Sequence, residues 1–267
     1  MEIHALSTGT LRVKQAFLYP REGFHRQLDL FLPDSWSGPL PIHCWAIRHE
    51  DRLLLVDTGE SSRVRDVPFA RFDVGAEQEL PGVLRASPSH LSIDDVSEVV
   101  LTHHHGDHVD GVPHVRAPVR MSANEIAFTK TPFSRFMRLA LRQPLPPGFA
   151  PQPMTFDDGP FGAFPRSRML SDDGRIVAVE TPGHTPGHLC VICVDDHDRH
   201  VFIAGDATDS LEQLHARRPD AIGPDPEVHV ETLDRILDHC RKFPTIYLPT
   251  HDAQSAARLE AGSTVAT

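Results

Sequence analysis

Short apolar runs that end on a metal-competent side chain recur along this chain. Val99-Val100-Leu101 leads into Thr102-His103-His104-His105-Gly106-Asp107-His108, Phe202-Ile203-Ala204-Gly205 leads into Asp206, and Ile246-Tyr247-Leu248-Pro249-Thr250 leads into His251. Runs this short, rich in β-branched and aromatic residues and bounded by Gly or Pro, predict buried strands. Residues 180–188 read as a strand running into a turn, where Pro182-Gly183 sets the ring of His184. Residues 1–60 read as strands and hairpins over 28–32, 42–48 and 53–56, punctuated by Pro33, Gly38, Pro39, Pro41 and Gly59.

Helical periodicity is confined to a few places. Asp225-Pro226 predicts a helix start, with Asp able to cap and Pro suited to the first turn. Leu233, Ile236, Leu237 and Cys240 then recur on one face until Pro244 forces a stop. Residues 75–85 are polar and proline-punctuated and predict only a weak helix. Phe133, Phe136, Met137, Ala140 and Leu141 predict one apolar helical face opposite Arg135, Arg138 and Arg142, ended by Pro144. The whole chain, 1–267, reads as a single domain with an apolar insertion around 128–168. That insertion is expected either to pack on the core, to cap the site with a channel lined by Phe149, Met154, Phe156, Phe161 and Phe164, or to form a homodimer contact.

Composition narrows the classes. A chain of 267 residues with 40% hydrophobic and 24% charged residues is ordinary for a globular protein. No apolar run reaches membrane-span length and the first residues lack a signal-peptide pattern, so no membrane partner and a cytoplasmic location are expected. A net charge of −11 argues against nucleic acid, which selects a basic surface. Cys44, Cys190, Cys193 and Cys240 sit in apolar contexts and read as buried thiols, and Cys190-x-x-Cys193 has no second pair with which to build a zinc site.

The ligand-type residues carry the chemistry. Imidazoles mixed with carboxylates suit zinc, cobalt, iron or manganese, and the tight spacing from His103 to His108 calls for a turn that Gly106 can supply. A histidine-rich surface loop is the plain alternative for one cluster. Four strand-like runs each delivering such a residue at its end argue against it, because strand ends at one sheet edge converge. Asp57, after Leu54-Leu55-Val56, is either a support behind the ligands or a turn-stabilising residue.

The H-x-H-x-D-H segment, Gly183-His184, Gly205-Asp206 and Thr250-His251 resemble the metallo-β-lactamase-fold hydrolases from about residue 40 to 251. Residues 41–47 and 54–59, Ile93-Asp94-Asp95-Val96 and Gly183-His184-Thr185-Pro186-Gly187-His188 resemble the N-acyl homoserine lactonases within them. The resemblance implies an α/β protein with an αββα four-layer sandwich. It implies two divalent metal ions, zinc being expected: His103, His105 and His184 on one, Asp107, His108 and His251 on the other, and Asp206 bridging. Asp57 would then orient the site from behind. An Asp rather than a Cys at 206 departs from the best-known zinc β-lactamases of this fold and argues against penicillin hydrolysis. His104 alternates away from its neighbours and reads as a non-ligand, and His188 as support or core.

The expected function is a lactonase opening N-acyl homoserine lactones or related lactones, a quorum-quenching activity, by attack of a metal-activated hydroxide. Asp107 is the expected proton carrier to the leaving oxygen. The alternative on the same site is a thioesterase of the glyoxalase II type or a phosphodiesterase. Several lactonases have a tyrosine shortly after the bridging Asp. Here the run is Asp206-Ala207-Thr208-Asp209, and an ionised Asp209 cannot donate, so either another donor such as Thr208 or Tyr19 does the work or the substrate differs.

Overall fold

The computed structural model describes residues 1–21 and 26–265. Among them the strands are β1 (Glu2–Val13), β2 (Leu40–His49), β3 (Arg52–Val56), β4 (Ala70–Asp73), β5 (Val96–Leu101), β6 (Val119–Ser122), β7 (Gln152–Met154), β8 (Ser167–Met169), β9 (Ile176–Glu180), β10 (Leu189–Val194), β11 (His200–Gly205) and β12 (Thr245–Pro249). They form a seven-stranded sheet in the order β4-β1-β2-β3-β5-β6-β7 and a five-stranded sheet in the order β12-β11-β10-β9-β8. Helices are α1 (Gln15–Leu18), α2 (Arg26–Asp29), α3 (Leu80–Ala86), α4 (Gly106–Val109), α5 (Ala123–Thr129), α6 (Pro132–Leu141), α7 (Leu211–His215), α8 (Pro226–Lys242) and α9 (Ser255–Ala261).

Strand alternation sorts the apolar residues into layers. Trp45, Ile47, Leu54, Val56 and Val100 face Ala178, Val191, Val201, Ile203 and Leu248 across the gap between the sheets. The neighbours Cys44, Ala46, Leu53, Leu55 and Val99 point the other way, onto Leu80 and Leu84 of α3. On the outer face of the second sheet, Val179, Ile192, Phe202 and Tyr247 receive Leu233, Ile236, Leu237 and Cys240 of α8. This is the αββα sandwich, and burial on both faces explains why its central strands read as unbroken apolar runs. Cys190 and Cys193, three apart on β10, fall into opposite cores, so their spacing carries no shared site.

The α8 prediction holds in detail: Asp225 accepts from the Glu227 and Val228 amides at 3.0 and 3.2 Å, and the helix ends at Lys242 before Pro244. Two expectations fail. Residues 28–32 are not a strand but the end of α2 and the following turn. Gly106 does not supply a tight turn; it opens α4, and a Cβ there would lie 3.3 Å from the Glu60 carboxylate. The helix over 75–85 divides into a short 3-10 turn (Ala76–Gln78) and α3.

Candidate metal centre

The ends of β3, β5, β11 and β12 meet at one edge of the sandwich, because β3 with β5 and β11 with β12 run parallel and release their chains on the same side. The segment after β9 joins them with His184. Gly205 turns the chain out of β11 at φ +53°, with no room for a side chain: a Cβ would fall 2.9 Å from His188 Nε2.

Two groups of side chains converge there. Ligand atoms of His103, His105, His184 and Asp206 all lie within 4.8 Å of one another, as do those of Asp107, His108 and His251. Asp206 joins the groups: one carboxylate oxygen is 3.4 Å from His184 Nε2 and 3.4 Å from His251 Nε2, and the other is 3.2 Å from His108 Nε2. Every residue expected as a ligand is therefore on this floor, while His104 turns away and places Nδ1 2.5 Å from Glu125.

Behind the floor, partners that can only accept fix the imidazole tautomers. His108 Nδ1 donates to Asp57 at 2.8 Å, His184 Nδ1 to Asp220 at 2.5 Å, and His251 Nδ1 to the Pro41 carbonyl at 2.9 Å. Thr102 gives its hydroxyl hydrogen to Asp57 at 2.9 Å and so accepts from His103 Nδ1 at 3.0 Å. Each of these rings thus points Nε2 towards the centre, where its lone pair can bind a cation once the ring is neutral. His188 Nε2 accepts from the Asp206 amide at 3.2 Å and holds that residue from behind. Asp57 sits at φ +64° and also accepts from the Thr102 amide at 2.8 Å, which places it behind the ligands.

This geometry suits cations. His103 Nε2 and His184 Nε2 lie 2.9 and 3.0 Å from His105 Nδ1, so three ring nitrogens converge closely enough to share one cation. His108 Nε2 and Asp206 Oδ1 face each other at 3.2 Å, buried and without a well-aligned hydrogen bond, a place where a cation would satisfy both. Charge balance agrees. Burial works against a protonated His108 and His251, yet Asp206 and the neighbouring carboxylates raise both well above the usual histidine range. Asp220 and Asp206 likewise overcome burial to lift His184 to about 9. Burial and the adjacent imidazoles push His103 far down instead. Burial resists ionisation of Asp206, but His108 and His251 hold its carboxyl well below the usual range. The carboxylates draw in positive charge that divalent ions would supply.

Asp220, Thr102, Glu125 and the Pro41 carbonyl escaped the sequence reading. Asp220 lies in a loop with no periodicity, and backbone carbonyls carry no residue signature. The proposed donors also fail: Thr208 is buried and bonded to the Tyr247 hydroxyl at 3.0 Å, and Tyr19 stacks under Arg218 at 4.5 Å. Asp209 reaches the cavity instead, with Oδ2 buried and unpartnered.

Above the floor opens a cavity of about 410 Å³. Its walls are Leu11, Val13, Phe17, Leu30 and Phe69 from the N-terminal part and Phe128, Met137 and Leu141 from α5 and α6. The expected channel residues lie elsewhere. Met154 and Phe156 fill the core between the sheets, Phe161 and Phe164 pack with the α8 core, and Phe149 joins the α3 core.

Over residues 37–251 the chain matches the family profile of the metallo-beta-lactamase superfamily. Its fold is similar to that of a variant of AiiA from B. thuringiensis with N-decanoyl-L-homoserine in the active site, at 18% identity and TM-score 0.73, covering 98% of this chain and 96% of that one. It is similar to AidC, a dizinc quorum-quenching lactonase in complex with a hexanoyl-homoserine product, at 16% identity and TM-score 0.66, covering 95% and 88%. It is also similar to a probable metal-dependent hydrolase from Staphylococcus aureus, at 15% identity and TM-score 0.74, covering 94% and 89%. No curated protein matches the chain. At these identities the likeness is one of fold.

Proposed function

Since the chain belongs to the metallo-β-lactamase superfamily of metal-dependent hydrolases, we propose that it is a dinuclear lactonase acting on lactones that carry an acyl chain, N-acyl homoserine lactones being the best-fitting class. The observation behind this reading is the cavity itself, with a floor of imidazoles and carboxylates and walls that are apolar. His103, His105 and His184 would hold one ion, Asp107, His108 and His251 a second, with Asp206 within reach of both groups; zinc suits the donor set. When bound, such ions polarise a carbonyl oxygen and bring the pKa of coordinated water from about 15.7 towards 7.

The chain's own residues supply the rest. The aromatic and aliphatic walls take the acyl chain, at about 0.8 kcal/mol for each buried methylene, and so set the lactone ring over the floor. Burial opposes ionisation of Asp107, but His108 and the bond to His251 keep its carboxyl below the usual range, so it is present as a carboxylate that can accept. From there it would take the proton released as water adds to the ring carbonyl and pass it to the ring oxygen as the acyl C–O bond breaks, a role worth roughly 10²- to 10⁴-fold. A phosphodiester fits less well: among the described residues Arg138 is the one Lys or Arg lining the cavity, and it is engaged with Ser134 and the Thr129 carbonyl at 2.6 and 2.7 Å. Lactones of graded chain length, a glutathione thioester and a phosphodiester, assayed with and without chelator, test the reading. Chelator-sensitive lactone opening that improves with chain length is expected; faster thioester cleavage would overturn it.

A further inference from the structure

The outer half of α6 has no use in the reaction. Sequence periodicity places Phe133, Phe136, Met137, Ala140 and Leu141 on one face, but the helix splits it. Met137 and Leu141 turn into the cavity, while Phe136 and Leu139 stand 65% and 78% exposed. Across the same cavity Leu28, Phe31 and Leu32 are each more than half exposed, as is Phe133. Among the described residues only Tyr19 and Met169 match them for size and exposure. The mouth of the cavity is therefore ringed by large apolar side chains on two separate segments, an arrangement that marks an interaction surface.

Charge says what that surface meets. The chain carries −11 overall, yet residues 126–156 contain Lys130, Arg135, Arg138 and Arg142 and no Asp or Glu. Arg138 is turned inward, whereas Lys130, Arg135 and Arg142 are exposed. We propose that this rim docks on an anionic phospholipid surface, with Phe133, Phe136 and Leu139 entering the headgroup boundary and Lys130, Arg135 and Arg142 meeting the lipid charges. An amphipathic helix with Phe and Leu beside Arg has the character of an interfacial segment, and such adsorption needs no membrane span. A second copy fits worse, because a two-fold contact through this rim presents the same cations, unpaired among the described residues, to each other. Docking here would set the cavity mouth against the bilayer, where long acyl chains concentrate.

Co-sedimentation of the purified protein with vesicles of phosphatidylcholine, with and without phosphatidylglycerol, tests this. Binding to the anionic vesicles that weakens with salt is expected. Arg135→Ala with Arg142→Ala should lower it by about fivefold per charge, and Phe136→Ser with Leu139→Ser by roughly tenfold or more. Neither pair lines the cavity, and far-UV circular dichroism and melting show whether each variant is folded. Failure of the wild type to bind anionic vesicles, equal binding to neutral ones, or a concentration-dependent dimer abolished by Leu139→Ser would overturn the proposal. None of these outcomes depends on which ester the centre opens.

Discussion

On the cavity floor nearly every ring is held by a second group, His108 by Asp57, His184 by Asp220 and His251 by the Pro41 carbonyl. On the walls, Phe31, Phe133 and Leu28 line the cavity without any directional bond to hold them and are each more than half exposed. The floor is specified by directional bonds anchored on strand ends, the walls by non-directional contact from short helices and turns. Substitutions on the floor should therefore abolish chemistry, and substitutions on the walls should only re-grade substrates.

The largest effect expected is at Asp206, the residue shared by both ligand groups. Asp206→Ala should cut kcat/KM by about 10³-fold or more, the consequence of losing several kcal/mol of charge stabilisation. Metal analysis should find less than the wild-type content, and near-normal activity with full metal occupancy would dissolve the contrast. One layer back, Asp57→Ala and Asp220→Ala should each weaken metal affinity by roughly 10- to 100-fold, read by competition with a coloured chelator. On the walls, Met137→Trp should shift preference towards short acyl chains by about tenfold, since shutting out two methylenes forfeits about 1.6 kcal/mol. Its kcat on the shortest lactone should stay put.

The smallest effect is expected where floor meets wall. Burial, with Asp206 and Asp220 close by, raises the Asp209 carboxyl to about 7 despite His251. A carboxyl raised in the folded state stabilises it below the unfolded pKa and loses that contribution as pH climbs from about 4 through 7. Metal-free Asp209→Asn should thus melt roughly a few degrees higher than the wild type at pH 8 and show no such gain at pH 4. An equal shift at both pH values would mean that packing rather than ionisation governs the site.

Legibility followed the same division. Residue types able to bind metal were readable because they follow short apolar runs, whereas the selection of His103, His105, Asp107, His108, His184, Asp206 and His251 as a set came from the family resemblance. Asp225 and the α8 face were readable because capping and 3.6-residue periodicity are local. The cavity walls were not. Phe149, Met154, Phe156, Phe161 and Phe164 form an apolar stretch in sequence, yet they disperse into separate cores. Phe17, Leu30 and Phe69, remote from them in the chain, form the wall instead.

By itself the sequence determined the central buried strands, the α8 helix and the residue types able to hold metal, since periodicity, turn chemistry and donor identity are properties of short segments. Tertiary structure alone decided that Asp220 backs His184 across 36 positions and that the Pro41 carbonyl orients His251 across 210. It alone decided that Met137 faces in while Phe136 faces out. Those choices depend on which surfaces are brought together, and an apolar side chain carries no mark of the neighbour it will meet.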